Sequence, residues 1–242
     1  WKAHGWTNMI EALAVSSDVY FYTIGGGFED QRGMGIANIE KYTKLFGIGE
    51  ATGVDLPDEK NGIIPNPEWK LKNFRGDPWR LGDTYHTAIG QYGFQVTPIE
   101  MVRAITAIAN SGIILTPYFI LEENSSSELL RSKASQLEIK EEYFNTVRNG
   151  MRQAVTYGTA VALNVPFVEV AAKTGTAQLG VAKNKINSWV IGFFPYENPQ
   201  YAFTIMMEAG PATNSVNASS VMRQLLDWMS QNTPEYFEVL QN

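Results

Sequence analysis

Three strand-like runs lie together near one end of this 242-residue chain, at 168–177, 188–195 and 201–209, with no helical pattern between them. The last two are joined by Glu197-Asn198-Pro199-Gln200, whose residue types favour a hairpin turn. Strands that follow one another through short links pair antiparallel, whereas a doubly wound parallel sheet needs a helix after each strand. The order of elements therefore predicts an α/β (α+β) fold whose C-terminal antiparallel sheet is covered by helices.

The covering helices are legible upstream and at the C-terminus. Asn8 and Glu11 form a capping-box pattern, and Ile10, Leu13, Ser17 and Tyr20 share one face, which predicts a helix from about residue 9 into Tyr20-Phe21-Tyr22, ended by Gly25-Gly26-Gly27. A second amphipathic helix spans 36–46 and stops at Gly47. Thr97-Pro98-Ile99-Glu100 opens a third that runs to about Asn110, nearly all apolar and so expected in the interior. A fourth covers 140–156 and ends at Gly158; a last one, 219–231, is expected to turn Val221, Leu225, Trp228 and Met229 inward. Between them, 50–80 reads as an irregular excursion pinned by Trp69, Phe74 and Trp79, and 121–139 as an exposed connection.

With 44% hydrophobic residues the chain can bury one sizeable core, and a single domain over 1–242 is expected. A net charge of −6 without a run of basic residues lacks the electrostatic footprint of a nucleic-acid binder. No apolar run is long enough to span a bilayer, and the absence of cysteine excludes disulfides and thiolate metal sites.

Candidate chemistry centres on Lys173-Thr174-Gly175-Thr176 in the first strand. An ammonium, hydroxyls and a side-chain-free backbone step on one strand edge can hold a carboxylate while a backbone N–H faces a developing oxyanion. By itself the triplet reads sooner as an edge strand with a bend, and a P-loop is excluded because the glycine follows the Lys-Thr pair. Ser16-Ser17-Asp18 falls in the first helix, where such residues either bond locally to the backbone or face a cleft. Ser215-Val216-Asn217 reads as a loop and N-cap, and Gly82-Asp83-Thr84, Gly90-Gln91 and Gly93 as turns and caps. His4 and His86 are the only histidines, and with no Gly-x-Ser-x-Gly elbow a Ser-His-Asp hydrolase has little support.

Taken in order, His4-Gly5-Trp6, Ser16-Ser17-Asp18-Val19-Tyr20-Phe21, Thr52-Gly53-Val54-Asp55-Leu56-Pro57, Pro67-Glu68-Trp69, Gly82-Asp83-Thr84, Ala88-Ile89-Gly90-Gln91, Val96-Thr97-Pro98, Gly158-Thr159-Ala160 and Lys173-Thr174-Gly175-Thr176-Ala177-Gln178 resemble the transpeptidase domain of class B penicillin-binding proteins of the elongation type. The resemblance covers essentially the whole chain. It implies the penicillin-binding-protein/β-lactamase-like fold and acyl transfer from D-Ala-D-Ala stem peptides during peptidoglycan cross-linking, on the extracytoplasmic face of a bacterial membrane. β-Lactams would be ligands and a membrane glycosyltransferase a partner of the parent protein; no cofactor or metal is implied.

Carried over by position, the resemblance makes Ser16 and Asp18 the ends of a Ser-x-Asn/Asp proton relay and Lys173 a catalytic cation. It makes Thr174, Gly175 and Thr176 the substrate-binding strand, with the Thr176 N–H as half of an oxyanion hole. Asp18 stands where many relatives have asparagine. No serine here has lysine three positions later, although the family's nucleophile sits in a Ser-x-x-Lys element N-terminal to the His4-Gly5-Trp6 segment. The chain is therefore expected to be incomplete on its N-terminal side, marginally stable and inactive alone. A non-catalytic module of the same fold is the alternative.

Overall fold

The computed structural model describes residues 4–120, 134–180, 182 and 184–237. In chain order the helices are α1 (Met9–Val15), α2 (Asp18–Gly26), α3 (Gly35–Leu45), α4 (Pro67–Asn73), α5 (Leu81–Ala88), α6 (Pro98–Ala109), α7 (Glu141–Thr156) and α8 (Ala218–Asn232). The strands are β1 (Ile113–Ile114), β2 (Ser135–Gln136), β3 (Ala171–Leu179), β4 (Lys185–Phe194) and β5 (Tyr201–Pro211). Two compact units result: Trp1–Ser16, Ile108–Gly112 and Ile139–Asn242 form one, and Ser17–Ala107 with Ile113–Glu138 the other. Most of the 121–139 connection lies outside the described residues.

The first unit is built on the antiparallel sheet β3-β4-β5 that the strand order predicts. Its core joins Ala154 and Val155 of α7, Ala172 and Val190 of the sheet, and Met222 and Leu226 of α8. A bulge between Ile186 and Ser188 interrupts the β4–β5 ladder, and the Asn187 side chain accepts the Ala209 N–H there at 2.9 Å. The Asn217 cap of α8 is as expected, accepting from Ser220 N. The buried face of that helix is not. Val221, Leu225 and Trp228 are 37%, 44% and 55% exposed, while Ala218, Ser219, Met222 and Leu226 are buried. Of the residues expected inward only Met229 packs on the core; the Ala218 N–H donates to Ser188 Oγ at 3.0 Å, which fixes the rotation of α8 so that Ala218, Met222 and Leu226 meet the core.

The expected first helix is in fact two. Ser16 takes the left-handed conformation (φ 56°, ψ 56°) and closes α1, its N–H bonded to the carbonyls of Ala12 and Leu13. Ser17 then caps α2, accepting from Tyr20 N at 3.4 Å. Short hydroxyl side chains compete with the helix for backbone groups, so the break falls on them. Against α1 lies α7, at a spacing set by glycine: a Cβ at Gly150 would come within 2.8 Å of the Leu13 side chain.

In the second unit α6 is the interior helix its composition predicts, with Ala104, Ile105 and Ala107 buried. The fully buried Glu100 carboxylate accepts from Thr97 N (2.6 Å), Gly49 N (2.9 Å) and Gly62 N (2.8 Å), so the capping residue also ties down two distant turns. The 50–80 excursion holds α4, started by Asn66 accepting from Trp69 N. Trp69, Phe74 and Trp79 each pack on Tyr92, at 6.0, 5.9 and 5.8 Å between centroids, so the aromatic pinning is as expected. Beneath them Lys70, 2% exposed, is paired with Asp83 at 2.6 Å and Asp77 at 2.9 Å.

Candidate active site

Lys173, Thr174, Gly175 and Thr176 occupy consecutive positions of β3, opposite Ile191, Val190, Trp189 and Ser188 of β4. Among the described residues β4 is the only strand paired with β3, which leaves the far edge of β3 without a strand neighbour. Alternation sends Lys173 and Gly175 to one face of the sheet and Thr174 and Thr176 to the other.

The Lys173 ammonium donates to Ser16 Oγ at 2.8 Å and to the Thr174 carbonyl at 2.8 Å. Ser16 can meet it because α1 ends there in a left-handed turn; in a continuous helix the side chain would lie back along the preceding turn. A cation on a hydroxyl oxygen stabilises charge developing on that oxygen and leaves the hydroxyl proton to be given to, or exchanged with, a third group. This pair can therefore act as a proton relay.

Thr174 Oγ1 donates to Thr159 Oγ1 at 2.8 Å. Thr159 follows the end of α7, and its N–H donates to the Ala14 carbonyl at 3.1 Å. Gly158 permits this approach, since a Cβ there would be driven into the backbone of Ala14. Neither contact is visible in local spacing; the only sequence trace is the Gly158-Thr159-Ala160 triplet itself.

Gly175 is exposed, its φ is not positive, and a Cβ there would meet only the Trp189 Cβ, at an ordinary 3.5 Å. Nothing in its own packing therefore excludes alanine. Thr176 is exposed on the same strand. Asp18 stands two residues beyond Ser16, at the first position of α2. Burial, and secondarily the Asp18 carboxylate, push the Tyr22 hydroxyl above its ordinary value. His86 packs against Tyr22 and Tyr92, and among the described residues no group of three or more His, Asp or Glu side chains is placed to hold a metal ion.

The arrangement offers a cation–hydroxyl pair and a pair of threonine hydroxyls, joined through the adjacent Lys173 and Thr174, on a strand edge with no strand neighbour among the described residues. A model of the penicillin-binding protein transpeptidase domain matches residues 1–227. The peptidoglycan D,D-transpeptidase MrdA of Escherichia coli K12 is 31% identical over 250 residues, covering 94% of this chain and 38% of that protein. Its counterpart in Acinetobacter baumannii is 31% identical over 229 residues, covering 87% and 33%. Among solved structures, PBP2 of Helicobacter pylori in complex with MreC matches with a TM-score of 0.79 at 31% identity, over 97% of this chain and 42% of that one. Pseudomonas aeruginosa PBP2 in complex with WCK 5153 matches with a TM-score of 0.78 at 27% identity, over 94% and 48%. The chain thus spans 33% and 38% of the length of these two curated relatives.

Proposed function

Because this chain belongs to the penicillin-binding protein transpeptidase family, we propose that it supplies the proton-relay, carboxylate-binding and oxyanion side of a D,D-transpeptidase that cross-links peptidoglycan. The observation that carries the reading is the Lys173–Ser16 contact at 2.8 Å beside Thr174 on an open strand edge. In the full-length gene product a Ser-x-x-Lys serine would attack the carbonyl of the penultimate D-alanine of a stem peptide. The terminal D-alanine leaves as the amine, taking the proton relayed through Ser16 and Lys173, and an ester remains on the serine. The amine of a neighbouring stem peptide then attacks the ester, loses its proton to the same relay and releases the serine hydroxyl.

In this reading Thr174 and Thr176 bind the carboxylate of the donor or of a β-lactam, the Thr176 N–H faces the oxyanion, and Asp18 belongs to the relay. The substrate places the site on the extracytoplasmic side of the cytoplasmic membrane, with a glycosyltransferase that makes the glycan strand as the partner. The Helicobacter pylori relative, seen with MreC, supports work within a larger assembly.

The experiment is intact-mass spectrometry after incubation with benzylpenicillin, on the full-length gene product and on these 242 residues. One penicilloyl group per full-length chain, on a Ser-x-x-Lys serine, and none on the 242-residue chain is expected. A full-length product that takes up no penicillin would overturn the enzymatic reading in favour of a non-catalytic module of the same fold.

A further inference from the structure

Resting on that reading, we propose that Gly150 is a positioning residue for the relay: by letting α1 lie directly on α7, it sets where Ser16 stands before the Lys173 ammonium. Glycine inside a helix gives up stability that alanine would supply, so its place within α7 calls for a reason in packing. Gly150 is buried, and a Cβ there would stand 2.8 Å from both Cβ and Cδ1 of Leu13 and 3.3 Å from the Ile10 carbonyl oxygen. The tip of Leu13 can turn aside, but its Cβ is fixed to the α1 backbone and the Ile10 oxygen belongs to that backbone. A methyl group at this position therefore has to drive the two helices apart by at least about half an ångström to reach an ordinary van der Waals separation.

Which helix gives way follows from what holds each. Arg148 and Arg152 tie α7 to the sheet: Arg148 Nη2 donates to the Tyr196 carbonyl at 3.0 Å, just past β4, and Arg152 Nη2 donates to Glu169 Oε1 at 2.7 Å, just before β3. Helix α1 is seven residues long and, among the described elements, packs chiefly on α7. The displacement therefore falls on α1. It passes straight to Ser16, whose N–H is bonded to the carbonyls of Ala12 and Leu13. Leu13 thus both faces Gly150 and holds the turn of Ser16, whereas Lys173 stays with the sheet to which α7 is anchored. The 2.8 Å contact between Lys173 and Ser16, stretched by that displacement, reaches the weak limit of hydrogen bonding.

The test is a double-variant cycle on the full-length gene product. It reads the second-order rate of acylation by benzylpenicillin for the wild type, Gly150→Ala, Ser16→Ala and the two combined, each shown folded by circular dichroism. Gly150→Ala should slow acylation roughly tenfold, since a misplacement of about 1 Å costs about 100-fold. In the Ser16→Ala background the same change should alter the rate by less than about twofold, because the group it misplaces is gone. An unchanged rate in Gly150→Ala, or equal losses in both backgrounds, which a merely structural role would give, overturns the assignment. Leu226→Ala destabilises the same unit from the α8 side and should leave the rate of the folded protein within about twofold of wild type. A loss there as large as that of Gly150→Ala would assign the effect to stability and overturn the proposal as well. Should Gly150→Ala fail to fold, Leu13→Ala takes its place in the cycle: a loss confined to the chain that retains Ser16 is expected, and equal losses overturn the proposal. A wild type that benzylpenicillin does not acylate removes the transpeptidase reading itself, and this assignment with it.

Discussion

Gly158 lies against Ala14 so closely that a Cβ on the glycine would stand 2.7 Å from the Ala14 carbonyl carbon and 2.8 Å from the Ala154 Cα. Both atoms are backbone and cannot swing aside as a side-chain tip could. Gly158→Ala must therefore push α1 away from α7 or distort the turn that carries Thr159. A loss of about 2–3 kcal/mol is expected, typical of overpacking, read as a lower urea midpoint. A midpoint within experimental error of wild type would show that the turn yields freely.

Ser16→Ala removes the oxygen that Lys173 holds at 2.8 Å. General acid–base groups contribute about 10²-fold to 10⁴-fold. Acylation of the full-length gene product by a fluorescent penicillin should slow by a factor in that range, with Lys173→Met giving a similar loss and the double variant little more. Multiplying losses would mean that the two groups act separately.

Gly175→Ala separates the needs of the fold from those of the ligand. With only the Trp189 Cβ at 3.5 Å to meet, the variant should melt at or slightly above the wild-type temperature, because alanine narrows the unfolded ensemble. Acylation should nevertheless fall at least about tenfold, the cost of a slight misplacement at the reacting centre. Unimpaired acylation would show that ligands do not approach this step of β3.

The Lys70 cluster sets a pH limit on stability. Arg80 first, and then Lys70, hold the Asp77 carboxyl well below its ordinary 3.8. Burial alone would raise the Asp83 carboxyl, yet the bonds from Lys70 and the Arg80 N–H outweigh it and keep that group low too. Burial would likewise lower Lys70, but its bonds to Asp83 and Asp77 hold it well above 10.5. The lowered carboxylates stabilise the fold above 3.8 and lose that contribution as pH falls through their folded values; the raised lysine contributes below 10.5 and is lost above it. The cluster should therefore leave the urea midpoint level between about pH 5 and 9, with a fall in acid. In Lys70→Met the fall between pH 5 and 3 should be shallower; an equal slope would assign the acid limb to other groups.

How much of this was legible in the sequence depended on range. The cap at Thr97-Glu100, the antiparallel meander and the Asn217 cap are local signals, and each element lies where its residues place it. The break at Ser16 was obscured because the apolar period runs on through Ser17 and Tyr20; only the left-handed turn reveals two helices. Helix α4 was hidden by surrounding prolines, although Asn66-Pro67 is a good start signal. On α8 Val221, Leu225 and Trp228 suggested the buried face, and a bond from Ala218 to β4 decided otherwise. Residue types and family likeness singled out Ser16 and Lys173, but their contact spans 157 positions and no local pattern encodes it. The same holds for Thr159 on Thr174 and for the hold of Glu100 on Gly49 and Gly62.

The pairing of Gly175 with Trp189 has an optical consequence. The indole is half-buried and stands on the face of the sheet that also carries Lys173, with Met206 opposite it on β5 and no side chain opposite it on β3. A ligand seated along this stretch of β3 would exchange water for organic surface beside the ring, shifting its emission and shielding it from iodide. On the proposed reading the chain thus carries a native fluorophore on the strand next to the ligand-binding one, and replacing its other tryptophans by phenylalanine would isolate that signal without an attached dye.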